Sequence, residues 1–230
     1  MDVQTELFNI ARKITSRRNK YEAIASEFGL PNYRVITNSE LAIRGKDLDI
    51  PRHIRSFVNE YGEVILISNL ICGKVRGIIF RAVNAKAFLS YGFREGALYG
   101  IGMLNPDFKY GDPLLLVESA IDSDFARLYI TRNVLALMTS SVSVGKAQVI
   151  SCLTNKVLLF LDNDDAGRRG EDKTKRKLEE LGISVSVIPK VSGLKDLGDL
   201  IDMKRRGDLF TNTIIEDIKH SIEIRGGKIV

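Results

Sequence analysis

Lys156-Val157-Leu158-Leu159-Phe160-Leu161-Asp162-Asn163-Asp164 is the stretch on which the fold turns. Its apolar residues run on without polar alternation, the mark of a strand buried on both faces, and such strands belong to parallel sheets covered by helices. Downstream, residues 166–181 form a strongly charged helical segment with Gly182 at its end, followed by a fourth strand at 183–188. Upstream, a helix near 145–153, an apolar strand at 133–138 and a helix at 123–131 lead back to the first strand, Leu114-Leu115-Leu116-Val117, which stops at Glu118. Strands alternating with helices of about ten residues predict a parallel α/β sheet. A terminal helix is expected over 211–222.

The chain before this region has a different texture. Residues 4–28 read as helical, with Leu7, Ile10, Ala11 and Ile14 as an apolar stripe that Gly29 and Pro31 bring to a stop. A short helix is expected over 51–61, with Pro51 at its start. Strand patterns follow at 63–70, 75–83 and 86–90, with a turn at Val83-Asn84-Ala85. The expected fold class is therefore α/β: an α+β N-terminal lobe with an antiparallel sheet, then a parallel α/β lobe. The turn-rich Tyr110-Gly111-Asp112-Pro113 marks the junction. The expected domains are 1–108, 109–205 and a helical tail, 206–230.

With 44% hydrophobic and 27% charged residues the chain can bury a core, and 34 Lys and Arg against 29 Asp and Glu leave it at +5. That excess favours a polyanionic partner without establishing one. Cys72 and Cys152 are far apart, and His53 and His220 are the only histidines to supplement them, so no zinc site is expected. Two unclustered cysteines suit a reducing, cytoplasmic setting (the host's, if the source is viral). No apolar run approaches the roughly 20 residues of a membrane span.

Chemistry concentrates at the strand ends. Glu118 closes the first parallel strand and Asp162 and Asp164 close the third, so the topology puts all three on one sheet edge, where open parallel sheets bind ligands. Asp196 and Asp199 follow the fourth strand. Clustered carboxylates repel one another, and a hard divalent cation with oxygen ligands resolves the repulsion. The bland reading of any one such acid is a helix cap or an exposed turn residue, and Asp165 before Ala166 is expected to be one.

Residues 111–204 resemble a TOPRIM domain: a Glu after an apolar strand (Val117-Glu118-Ser119), then Asp-x-Asp after a later one (Leu161-Asp162-Asn163-Asp164). The continuation Asp164-Asp165-Ala166-Gly167-Arg168 and the Lys195-Asp196 step are similar to the primase branch of that family. Gly73 to Val83 and Ala97-Leu98-Tyr99-Gly100-Ile101 resemble the N-terminal subdomain of the replicative primase core. Three departures stand out. Ser119 replaces a Gly; a Lys-Tyr-Leu-Asn-like segment is reduced to Lys86-Ala87-Phe88-Leu89; and Asp196 and Asp199 are one residue further apart than usual. Asp122 matches an acid frequent in primases and equally reads as a helix cap.

The resemblance implies a primase catalytic core that makes short RNA primers on single-stranded DNA from ribonucleoside triphosphates. It implies Glu118, Asp162 and Asp164 as catalytic residues, and the same three with Asp196 as ligands to one or two magnesium or manganese ions. Arg76, Arg81, Lys86, Arg94, Arg168 and Lys195 are the implied nucleotide and nucleic-acid contacts. A replicative helicase or a separate zinc-module protein is the implied partner. The alternatives are a TOPRIM nuclease using the same acids and a non-catalytic nucleic-acid-binding accessory protein. The +5 charge fits all three; the basic segment before the acids favours the first.

Overall fold

A computed structural model of the 230-residue chain describes residues 34–35, 54–58, 63–71, 74–82 and 88–91 as backbone, and 97–230 in full apart from the Arg205 side chain. The helix expected over 4–28, the turn at 83–85, Lys86 and Arg94 lie outside the described residues. The chain divides into two compact units, residues 1–93 and 94–230.

The first unit contains a five-stranded antiparallel sheet in the order β1 (Arg34–Val35), β2 (Ile54–Val58), β3 (Glu63–Ile71), β4 (Lys74–Ala82) and β5 (Phe88–Tyr91). The last three follow the sequence patterns to within two residues. Residues 54–58, expected within a helix, are instead strand β2, paired along its length with β3 from Ile54 opposite Ile67 to Val58 opposite Glu63. Ile54, Phe57 and Val58 are β-branched or aromatic and suit a pleated surface, and a proline just before a strand is as well placed as one opening a helix. Arg81 lies opposite Ile65 in β3 and Phe88 in β5. Arg76 falls where the β3–β4 register shifts: Leu70 faces Val75 and Asn69 faces Gly77, leaving Arg76 as the extra residue of a bulge.

The second unit is built on a four-stranded parallel sheet in the order β7 (Val134–Ala136), β6 (Leu114–Val117), β8 (Lys156–Leu159), β9 (Ser184–Val187). Its helices are α1 (Ala120–Tyr129), α2 (Val144–Leu153), α3 (Asp165–Glu179), α4 (Leu197–Arg205) and α5 (Phe210–Glu223). Because side chains alternate along a strand, Leu114, Leu116, Leu135, Val157 and Leu159 meet one core, shared with Ala147 and Ile150 of α2 and Leu178 of α3. The alternate residues Leu115, Val117, Val134 and Leu158 are equally buried, as are Phe125 of α1, Leu200 of α4 and Ile215, Ile218 and Ile222 of α5. Burial of the strands on both faces is what their unbroken apolar runs require.

Residues before β6 also belong to this unit. Leu98 is part of the core, and Ile101, Leu104 and Phe108 pack against it. Tyr99 bridges Ala136 at the sheet edge, and its phenol donates to Asp124 at 2.8 Å. Asp124 in turn accepts from Arg127 at 3.1 Å, whose guanidinium also reaches the carbonyls of Met103 and Val134. Among the described residues no helix is long and apolar enough to cross a membrane.

Candidate functional site

The strand order fixes where a ligand can enter. From β6 the chain passes to β7 on one side and then to β8 on the other, so the crevice at the carboxyl ends of β6 and β8 is the topological switch point of the sheet. Glu118 follows β6 directly, and Asp162 follows β8 after Phe160, whose N–H still bonds Leu116 O at 3.0 Å. Asp196 comes from the loop after β9.

Three helices begin at this edge, each capped by a residue of the loops concerned. Ser119 caps α1 in a capping box with Asp122. Asp164 caps α3 by accepting from Gly167 N at 2.9 Å, and Asp196 caps α4 by accepting from Asp199 N at 3.1 Å. The cap expected at Asp165 is therefore at Asp164, while Asp165 is the first residue of the helix and pairs with Arg168. The positive ends of three helices offset part of the carboxylates' mutual repulsion.

Asp164 serves two partners at once. One oxygen caps α3, holding its pKa below the usual carboxylate range, and the other lies 3.4 Å from Lys195 Nζ. The same ammonium is 3.5 Å from Asp162. Burial, and then the neighbouring Asp196, push Asp162 upward. Glu118 is pushed up to about 7, first by burial and then by Asp162 and Asp164. Its Oε2 is buried with no hydrogen-bond partner. A buried carboxylate oxygen facing other carboxylates without a donor is an energetic debt that a cation removes.

Asp122 is buried, accepting from Ser119 Oγ at 2.6 Å and from Gly198 N at 2.9 Å, so it ties the start of α1 to the start of α4. Burial and Asp196 raise its pKa to about 7. The cap itself is Ser119, and Asp122 is the third residue of the helix that completes the capping box. Asp199 turns back onto its own loop, accepting from Lys195 N at 2.7 Å.

The two acidic loops are fastened to each other: Asn163 N donates to Lys195 O at 2.6 Å and Asn163 Nδ2 to Leu194 O at 3.2 Å. Arg168 closes over the first of them, donating to Asn163 Oδ1 at 3.1 Å. Behind the site, Lys190 donates to Leu161 O at 2.7 Å, pairs with Glu171 at 2.8 Å and lies over the Phe160 ring. Sequence reasoning missed Lys190. Nothing in a lone Pro-Lys step signals an ion pair with a residue nineteen positions earlier.

Among the described residues no three Asp, Glu, His or Cys side chains converge closely enough to enclose a metal ion by themselves. Magnesium does not require that, since it commonly takes one or two carboxylates and completes its octahedron with water and phosphate oxygens. The residues fit such an ion: Lys195 already places positive charge between Asp162 and Asp164, and the unpartnered Glu118 oxygen lacks a cation. Arg76 and Arg81 are on β4, in the first unit.

The raised acids give a stability prediction for the metal-free protein. Glu118 and Asp122 hold protons in the folded chain at pH values where the unfolded chain has lost them. Their contribution is therefore full below about pH 4 and is lost as pH rises through 7. With a chelator present, the melting midpoint is expected to fall by roughly 5 °C between pH 5 and pH 8. Asp122→Asn should flatten that slope. A wild-type midpoint constant over this range would contradict the upward shift of both acids.

The comparisons with known proteins agree with this fold. A Toprim-like family model matches residues 115–201. The DNA primase of Staphylococcus aureus is 32% identical over 125 residues, a match that covers 53% of this chain and 20% of the relative's own length. Among solved structures, the zinc-binding and RNA polymerase domains of the Aquifex aeolicus primase superpose with a TM-score of 0.57 at 16% identity, covering 96% of this chain and 62% of that one. The RNA polymerase domain of Mycobacterium tuberculosis primase DnaG gives 0.52 at 18% identity over 98% of this chain and 80% of that one. At these identities the superpositions speak for the fold. Residues 115–201 thus match a Toprim-like domain, and over about half of its length the chain is similar to DNA primases.

Proposed function

We propose that the chain is the catalytic core of a DNA primase, joining ribonucleotides on a single-stranded DNA template by metal-dependent nucleotidyl transfer. The observation that carries the reading is the gathering of Glu118, Asp162, Asp164 and Asp196 at the switch point of the sheet, with Lys195 among them. Support for the substrate class comes from relatives: a DnaG primase catalytic domain of the same fold has been seen bound to single-stranded DNA, with a TM-score of 0.52 to this chain.

A magnesium or manganese ion held by Asp162 and Asp164, with Glu118 and Asp196 beside it, would supply charge neutralisation at the α-phosphate and activation of the attacking 3′-hydroxyl. The chain's own groups do the rest. Glu118, with a pKa of about 7, is poised to accept the proton of that hydroxyl. Lys195 and Arg168 offer cations to the triphosphate at the mouths of the two acidic loops. Arg76, Arg81 and Lys86 of the first unit, with Arg94 of the second, are the proposed phosphate contacts. A helicase or a separate zinc-module protein is the proposed partner.

The test is to incubate the protein with single-stranded DNA, labelled ribonucleotides and magnesium or manganese, with and without a chelator. Short, template-dependent RNA that disappears with the chelator is the expected product. Metal-dependent loss of the template without synthesis would replace this reading with a nuclease.

A further inference from the structure

Lys195 holds a position that the proposed metal also needs. Its ammonium is 3.5 Å from Asp162 and 3.4 Å from Asp164, the two acids to which the ion is assigned. Its main chain is pinned on both sides, the N–H to the Asp199 carboxylate at 2.7 Å and the carbonyl to Asn163 N at 2.6 Å. The side chain is not: it is 45% exposed, and the Asp164 side chain it meets is 44% exposed. A fixed backbone carrying a long, half-exposed side chain can change the ammonium's position without disturbing the loops.

We infer that Lys195 is a resident cation that the metal displaces, its ammonium bridging Asp162 and Asp164 until an incoming ion takes those oxygens and releases it toward the nucleotide's phosphates. This rests on the metal-site reading above and adds a feature to it: metal binding is an exchange of cations. A divalent ion must outcompete a tethered ammonium, so the metal-free site keeps its carboxylates together but binds metal less tightly than the same acids would without the lysine. The exchange is feasible because both ion pairs involve partly exposed groups, where a single pair is worth little. The freed ammonium is a compact cation on a flexible stem, suited to a phosphate oxygen.

The experiment is calorimetric titration with Mn²⁺ alone, without nucleotide or template, at constant pH and salt. Lys195→Met is expected to bind Mn²⁺ about tenfold more tightly than wild type, and Lys195→Arg, which keeps the competitor, to stay within about twofold. Arg168→Met removes an equal charge from the same neighbourhood, but one held by Asn163 and Asp165. It should leave affinity within about twofold; an equal gain there would reduce the lysine effect to general field and overturn the inference. A second readout guards against misfolding. Without metal, Lys195→Met should melt below wild type, and saturating Mn²⁺ should raise its midpoint by more than it raises that of wild type.

Unchanged or weakened affinity in Lys195→Met would refute the exchange while leaving the metal site standing. Wild-type Mn²⁺ binding that is undetectable, or that survives Asp162→Asn/Asp164→Asn, would remove the metal site and the inference with it.

Discussion

Asp162→Asn/Asp164→Asn is expected to lower template-dependent RNA synthesis at least about a thousandfold while leaving the thermal midpoint within a few degrees of wild type. Asparagine is the informative replacement. Asp164 caps α3 through Gly167 N, and asparagine caps about as well as aspartate, whereas alanine would cost about 1 kcal/mol of helix stability. Asp164→Ala would thus mix a structural loss with a chemical one. The amides also remove two negative charges facing Glu118, so its pKa should fall from about 7, an effect visible in carboxyl NMR shifts. Residual synthesis within tenfold of wild type would exclude these two acids as the metal's principal ligands.

Gly170→Ala is expected to destabilise the second unit by about 3 kcal/mol. The sign is the unusual part, because alanine in place of glycine within a helix ordinarily stabilises by roughly 0.5–1 kcal/mol. A Cβ at Gly170 would overlap the carbonyl of Ser140, and one at Gly167 would overlap the carbonyl of Asp162. Both obstacles are backbone, so no rotamer change relieves them, and α3 must move away from the loops it abuts. The same contact line includes Thr174, whose hydroxyl accepts from Val142 N at 3.0 Å. Gly167→Ala should be comparably destabilising and should also displace Asp162, so its activity should fall further than its stability accounts for. Denaturant unfolding of both variants measures this; neutral or stabilising values would mean that α3 does not press on these loops as described.

Those glycines show where sequence reading reaches its limit. Unbroken apolar runs at 114–117 and 156–159 identify strands because burial on both faces leaves no polar positions, and the acids at their ends then fall on one edge by topology alone. Helix α4 went unread, although Leu197, Leu200 and Ile201, all buried, carry helical spacing. Its signal is hidden because Asp196 reads as a ligand as readily as a cap, and Gly198 weakens any helical pattern. Strand β2 was misread because Pro51 suits the start of either element, and only pairing with β3 decides between them. The Tyr99–Asp124–Arg127 cluster joins residues 25 positions apart and leaves no local trace. For the site, residue types were legible and partnerships were not. Glu118, Asp162 and Asp164 could be named from the chain, but the lysine between two of them could not be placed there.

The bond joining the two acidic loops runs from the N–H of Asn163 to the carbonyl of Lys195. Every amino acid supplies that carbonyl and every one except proline supplies that N–H, so point substitutions at these positions leave the join in place. Insertions and deletions are another matter, because one residue gained or lost between an acid and the join slips the two loops past each other. The site is thus tolerant of drift in composition and intolerant of drift in length.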